Sequence, residues 1–451
     1  MHGLQPTETE GTAPAWWAGA AVVEITPPAS VFLFGYPHVR RMSTGVHDPL
    51  ECAALYLRGS GGQALFLAND LIYVSRDFAE EVRTRIAAAT GVPVEGIMVT
   101  ATHTHSGPVM TNNLSNEADS VVPRADPEYL RWVGERMVTA ARQAVAAAVP
   151  ANVGLARARA EGVGSNRHDP AGPTDPEVPV LVAKAAADGR VIACQLIYGM
   201  HPTVLHEDST VITADFVGFT RQALRQGVLP PDCPVLFHQG AAGNQSPRHV
   251  TRANTLAEAR RIGERLAEAV AAALPGLSPL SPAHVEARRI HVSVVPRSFP
   301  PLEQARADLQ EARSRYEALR ISGAPRQEVR TAECDVFGAE KTAVLAQADA
   351  DGRLAAAVAR ASPAEIQLIQ IGPWRLIGWP GEFFVEYGLG LKARAPRDTF
   401  LITLANGELQ GYIATQEAVK HGRYEATNAI FRVENGERFI ERTLALIHET
   451  S

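Results

Sequence analysis

Four cysteines in 451 residues, none in a C-x-x-C pair, leave no disulfide framework to read. Cys52, Cys194, Cys233 and Cys334 lie far apart and read as small apolar residues of a reduced protein. No stretch approaches the roughly 18 consecutive apolar residues of a membrane-spanning helix, so no transmembrane segment is expected. Basic residues are in deficit: 43 Lys and Arg against 49 Asp and Glu give a net charge of -6, which excludes the footprint of a nucleic-acid binder. Near the N-terminus stand Glu8 and Glu10, with no basic segment before an apolar one, so no signal peptide is read and a cytoplasmic protein is expected. The 46% hydrophobic and 20% charged residues that are present suffice for an ordinary core.

Residues 1–16 are polar and dotted with proline and glycine, which predicts a disordered arm. Beyond it, strand-like runs (18–25, 52–57, 64–74, 153–158, 178–185, 191–198, 365–371, 374–379) alternate with helical ones (78–89, 129–148, 257–273). The alternation is too irregular for a doubly wound sheet, and the expected fold class is mixed α/β, with central mixed sheets flanked by helices. Asp70 interrupts the run 64–74, where an acid is costly unless paired or functional. Residues 301–361 differ. Leu302, Ala305, Leu309, Ala312, Tyr316 and Leu319 make a heptad-like seam that Ser322-Gly323-Ala324-Pro325 breaks and Val329, Ala332, Val336, Ala339, Ala343 and Ala346 resume. This predicts a helical hairpin, serving as a lid, a homo-oligomer contact or a packing insert.

Chemistry concentrates in Thr100-Ala101-Thr102-His103-Thr104-His105-Ser106-Gly107-Pro108. The preceding Gly96-Ile97-Met98-Val99 reads as a buried strand ending at the first histidine. Side chains alternate faces along a strand, so histidines two apart at its end enter one cavity. Other strand-like runs stop at His201, at Ser246 in a Gly-rich turn, at Glu382 (read as opening a helix) and at Tyr412. Two imidazoles, a carboxylate and a phenol are enough donors for one catalytic zinc with hydrogen-bonding partners around it. Asp70, His47 and Asp215 are expected to orient such ligands or to serve the core, and His38, His206, His238 and His249 to be structural.

Together these motifs resemble the neutral (non-lysosomal) ceramidase family, zinc amidases of N-acyl sphingoid bases. The resemblance rests on T-H-T-H-S-G-P, then in order on Ser165-Asn166-Arg167, Met200-His201-Pro202-Thr203, Gly243-Asn244-Gln245-Ser246-Pro247, Pro380-Gly381-Glu382-Phe383, Gly411-Tyr412-Ile413-Ala414-Thr415 and Arg423-Tyr424-Glu425. Gly35-Tyr36 and Gly45-Val46-His47 add to it. It spans nearly the whole chain and implies that 17–451 is the catalytic domain, carrying the 301–361 hairpin.

The resemblance implies zinc ligands His103, His201, Glu382 and Tyr412. It places His105, Arg167 and Tyr424 around the scissile carbonyl and Ser246 on the substrate side. It further implies zinc-activated hydroxide attacking an amide carbon, with His105 or Tyr424 as the acid for the leaving amine. Neither the family's C-terminal immunoglobulin-like domain nor its secretion signal is expected here, and Asn244 stands where Asp is usual. A small N-acyl amide or ester, more soluble than membrane ceramide, is therefore the expected substrate. A zinc esterase or lactonase, an amide-forming acyltransferase and a non-catalytic metal-binding homologue are the alternatives.

Overall fold

The computed structural model describes residues 16–449. Residues 1–15, most of the expected arm, lie outside the described residues, whereas Trp16, assigned to that arm, opens the first strand with its ring buried.

The main sheet contains β1 (Trp16–Glu24), β2 (Glu51–Gly59), β3 (Gly62–Asn69), β4 (Ile97–Ala101), β5 (Val149–Arg159), β6 (Glu177–Ala185), β7 (Val191–Tyr198) and β8 (Val235–Gln239). They lie in the order β8-β7-β6-β5-β1-β2-β3-β4, with Ser278–Pro279 pairing onto β5. Inner neighbours are antiparallel; the outermost pairs, β8 with β7 and β4 with β3, are parallel. The sheet is mixed, as expected. Its strands read as continuous apolar runs because both faces are covered, as in β2, buried at every residue from Cys52 to Leu57.

On one face, Leu55, Phe66 and Met98 meet Ile369, Trp374 and Phe400 of a second sheet. That sheet consists of β9 (Val285–Val292), β10 (Ala364–Ile371), β11 (Trp374–Gly378) and β12 (Thr399–Ile402). On the other face lie α1 (Arg76–Thr90) and α2 (Pro127–Ala146) over one half and α3 (Phe216–Gly227) and α4 (Leu256–Ala273) over the other. Helices Val385–Arg394 and Glu434–His448 cover the outer face of the second sheet. The result is a helix–sheet–sheet–helix stack.

The predicted hairpin is formed by α5 (Leu302–Ser322) and α6 (Arg326–Ala350), and a shorter helix, α7 (Arg353–Ala361), completes the segment. Gly323, in the left-handed region at φ 69°, ends α5 where the sequence break stands. Ala305, Ala343 and Ala346 join the two helices in one apolar cluster.

Two expectations are corrected. Strand β3 ends at Asn69, not Val74, because Asp70 turns the chain. Glu382 does not open a helix: Glu382–Phe383 is a short strand, and the helix starts at Val385.

Asp70 is fully buried and paired. Arg221 of α3 holds it through two hydrogen bonds (3.1 and 2.5 Å), Thr102 donates to it at 3.2 Å, and the Glu51 amide at 2.8 Å. Removing one member of such a pair strands a buried charge. Arg221→Met is therefore expected to lower unfolding stability by roughly 3–5 kcal/mol. Urea unfolding measures this, and a loss under about 1 kcal/mol would show the pair to be dispensable.

Candidate active site

The histidine-rich stretch is not a strand end. Strand β4 stops at Ala101, and His103 sits at φ 72°, a left-handed conformation uncommon for a non-glycine residue. The rings converge all the same: the His103 and His105 Nε2 atoms are 3.4 Å apart, and the His103 and His201 ring centroids 4.7 Å. One nitrogen from each of His103, His105 and His201 lies within 4.8 Å of the others. His201 follows the end of β7, as expected.

Glu382 and Tyr412 reach the same place through the backbone. Glu382–Phe383 pairs in parallel with Tyr412–Ile413, with Glu382 directly opposite Tyr412. The Glu382 Oε2 atom lies 3.3 Å from His103 Nε2 and 3.1 Å from His201 Nε2.

Three groups that the sequence reading did not single out hold this set. Tyr73, in the turn after Asp70, donates to Glu382 Oε1 at 2.6 Å and so leaves Oε2 to the histidines. The same turn braces His103, whose amide donates to Leu71 O and whose Nδ1 meets Ile72 O, both at 2.8 Å. The Gln239 amide, at the end of β8, donates to Thr102 O (2.8 Å) and Met200 O (2.7 Å), residues that precede the two histidines. One buried side chain thus ties the two histidine segments together. Glutamine at a strand end is too common for sequence alone to mark it.

The charge arrangement tests whether these residues suit a metal. His201 Nδ1 faces Ala242 O (2.8 Å) and Gln245 O (3.0 Å), as His103 Nδ1 faces Ile72 O. A carbonyl opposite Nδ1 fixes the proton there and turns an Nε2 lone pair inward. Burial, then Arg167, push His201 down to about 4, so this ring is neutral at pH 7. Lone pairs and a carboxylate oxygen that point at one another at 3.1–3.3 Å repel unless a cation joins them. The donor set therefore fits a divalent metal, and two nitrogens with a carboxylate suit zinc.

On the open side lies a cavity of about 370 Å³, whose lining includes Tyr36, His105, Arg167, Ser246, Tyr412 and Tyr424. His105 packs edge-on against Tyr36, and Gly35 (φ 128°) lies against its ring, where a Cβ would collide with the imidazole. Arg167 is ion-paired with buried Glu425 at 2.6 Å and donates to Gly243 O at 2.5 Å. Against burial, Arg167 and then His168 hold Glu425 at about 2, so this pair stays charged. Ser246 pairs through Gln245–Ser246 with Ser165–Asn166, the strand that leads into Arg167. Six of the eight residues named from sequence line this cavity, Glu382 borders a smaller one beside it, and His103 packs against His105, His201 and Glu382.

The remaining sequence candidates have other partners. Asp70 pairs with Arg221, His47 meets Asp48 at 2.8 Å, and Asp215 caps α3 from Phe216 N (2.6 Å) while holding Leu205 N (2.9 Å). His238 is buried against Thr100, His38 is bound to Glu340 of α6, and His249 meets Arg167 O at 3.3 Å. His206 stacks on Tyr36 at 5.7 Å and joins the cleft wall, which its sequence context did not indicate.

No protein-family model and no curated protein matches the sequence. Solved structures do match. A neutral ceramidase from Pseudomonas aeruginosa superposes with a TM-score of 0.73 at 18% identity, over 96% of this chain and 75% of that one. A ceramidase complexed with C2 gives a TM-score of 0.73 at 18% identity, over 96% of this chain and 76% of the other. The chain has the neutral ceramidase fold.

Proposed function

We propose that this protein is a zinc-dependent hydrolase of small N-acyl amides. The observation that carries the reading is the convergence of two inward-facing imidazole nitrogens and one carboxylate oxygen at the floor of a cleft. The neutral ceramidase fold supports the amide as the bond cleaved.

His103, His201, Glu382 and Tyr412 would hold the metal. When bound, zinc lowers the pKa of water toward about 7 and polarises a carbonyl. The protein's own groups do the rest. Glu382 and Tyr73 balance charge at the floor, and Gln239 keeps the two ligand histidines in register. His105 and Tyr424 face the place where the carbonyl oxygen would gain charge, and each can donate a hydrogen bond to it. Arg167, held by Glu425, adds a fixed positive charge beside Tyr412, its guanidinium carbon 5.2 Å from that ring's centroid. Burial and then His103 hold His105 well below the usual histidine range, so its ring is neutral and offers one N–H to the carbonyl oxygen. Ser246 lines the substrate side.

A cavity of about 370 Å³ stands at the small end of the ligand-pocket range, which favours short N-acyl compounds over a two-chain lipid. The test joins metal analysis to a substrate screen. About one zinc per chain and turnover of soluble N-acyl amides or esters are expected. Protein that binds no zinc after reconstitution, or that cleaves only long-chain ceramide in micelles, would refute the respective half of the proposal.

A further inference from the structure

Helix α6 was left without a function by the sequence, and it reaches the catalytic cleft. Its residues Arg330, Cys334 and Phe337 line the cavity wall. Glu340 binds His38, and Arg330 lies 3.4 Å from Glu207, so the helix is pinned to the loops on both sides of the opening. Further along, it docks on the short turn Tyr424–Thr427. Gly338 allows the close approach, because a Cβ there would strike the Thr427 hydroxyl, and Thr342 donates to Thr427 O at 3.1 Å. Between these two anchors stands Lys341, whose Nζ lies 2.9 Å from the Tyr424 hydroxyl.

We propose that Lys341 is a positioning residue of this site: its ammonium anchors the Tyr424 phenol oxygen and turns the phenol proton toward the reacting carbonyl. The inference rests on the hydrolase reading above. An ammonium has three donors and no acceptor, so in this contact lysine donates and the phenol oxygen accepts. Burial lowers Lys341 only to about 8, so the ammonium form prevails at pH 7. Tyr424 has no other side-chain hydrogen-bond partner among the described residues, and its own proton is left for a group in the cleft. A phenol that accepts from a cation is also polarised into a stronger donor. Lys341, Tyr424, Tyr412 and Glu382 all border one small cavity beside His105, so the proton has an acceptor position to serve.

The test is a double-mutant cycle on the metal-loaded protein. Lys341→Met is expected to lower kcat about tenfold or more with KM within about twofold, and Lys341→Arg, which keeps a cationic donor, to recover part of it. In a Tyr424→Phe background, Lys341→Met is expected to change kcat by less than about twofold. Thr342→Val loosens the docking without touching the phenol and is expected to leave kcat near wild type. The same four-protein cycle is run on calorimetric binding of hexylphosphonate, a tetrahedral anion. Loss of affinity in Lys341→Met only when Tyr424 is present would support the proposal. Additive losses in both measurements, or an arginine variant no better than methionine, would overturn it, as would a Thr342→Val enzyme as impaired as Lys341→Met. If the wild type hydrolyses no amide or ester, the hydrolase reading falls, and phosphonate binding still decides the role of Lys341.

Discussion

His103→Ala and Glu382→Ala are each expected to reduce bound zinc from about one per chain to near zero, and hydrolysis to background. Both residues belong to the tightest part of the floor. Glu382 Oε2 is shared by the two histidines at 3.1 and 3.3 Å, so its loss removes the carboxylate at the centre of the donor set. His103 is held on both sides, by Leu71 O at its amide and Ile72 O at Nδ1, so its ring is aimed before any metal arrives. Tyr73→Phe keeps every donor but frees Glu382 to rotate, and should weaken zinc about 10- to 100-fold without abolishing it. Ser246→Ala should retain full zinc. Elemental analysis after reconstitution and dialysis ranks the four variants. Stoichiometric zinc in Glu382→Ala would mean that the metal, if any, sits elsewhere in the cleft.

Much of this floor was legible in the sequence, though partly through the wrong geometry. The H-x-H spacing predicts two strand residues sharing a face. The strand ends at Ala101, and the rings meet because His103 takes a left-handed conformation that swings the chain back. Periodicity cannot show such a residue, since the turn 70–73, Gln239 and the Ala405 segment hold it from outside. Its place in an apolar run marks Asp70 as an acid needing a partner, yet the partner, Arg221, is 151 residues away and unmarked. Tyr73 reads as part of a strand because Leu71-Ile72-Tyr73-Val74 continues the apolar run past the acid that breaks it. Glu382 and Tyr412 are joined by a two-residue parallel ladder, too short for any pattern in the chain to announce. The hairpin is the reverse case. Its helices and their break follow from spacing, whereas nothing in the sequence singles out Lys341, which only the fold brings against Tyr424.

His105→Ala and Tyr424→Phe are expected to keep zinc near wild type and still to cut kcat by on the order of 10²-fold or more. The structure makes His105 a rival ligand, since its Nε2 is 3.4 Å from that of His103 and all three imidazoles fall within 4.8 Å. Ligand histidines, however, almost always hand their second ring nitrogen to a carbonyl, a carboxylate or water. His103 and His201 do so; the buried Nδ1 of His105 has no hydrogen-bond partner among the described residues. Its ring is positioned by packing instead, between Tyr36 and Gly35, and Arg41 holds its carbonyl at 2.8 Å. Such a ring keeps an N–H for the substrate oxygen. Tyr424 sits across the cleft on a different element, so the two losses should be separable in kcat while the metal stays. Zinc content and single-turnover rate are measured on the same preparation of each variant. If His105→Ala loses zinc along with activity, the third imidazole is a ligand, and the donor to the carbonyl oxygen must be sought in Tyr424 and Arg167 alone.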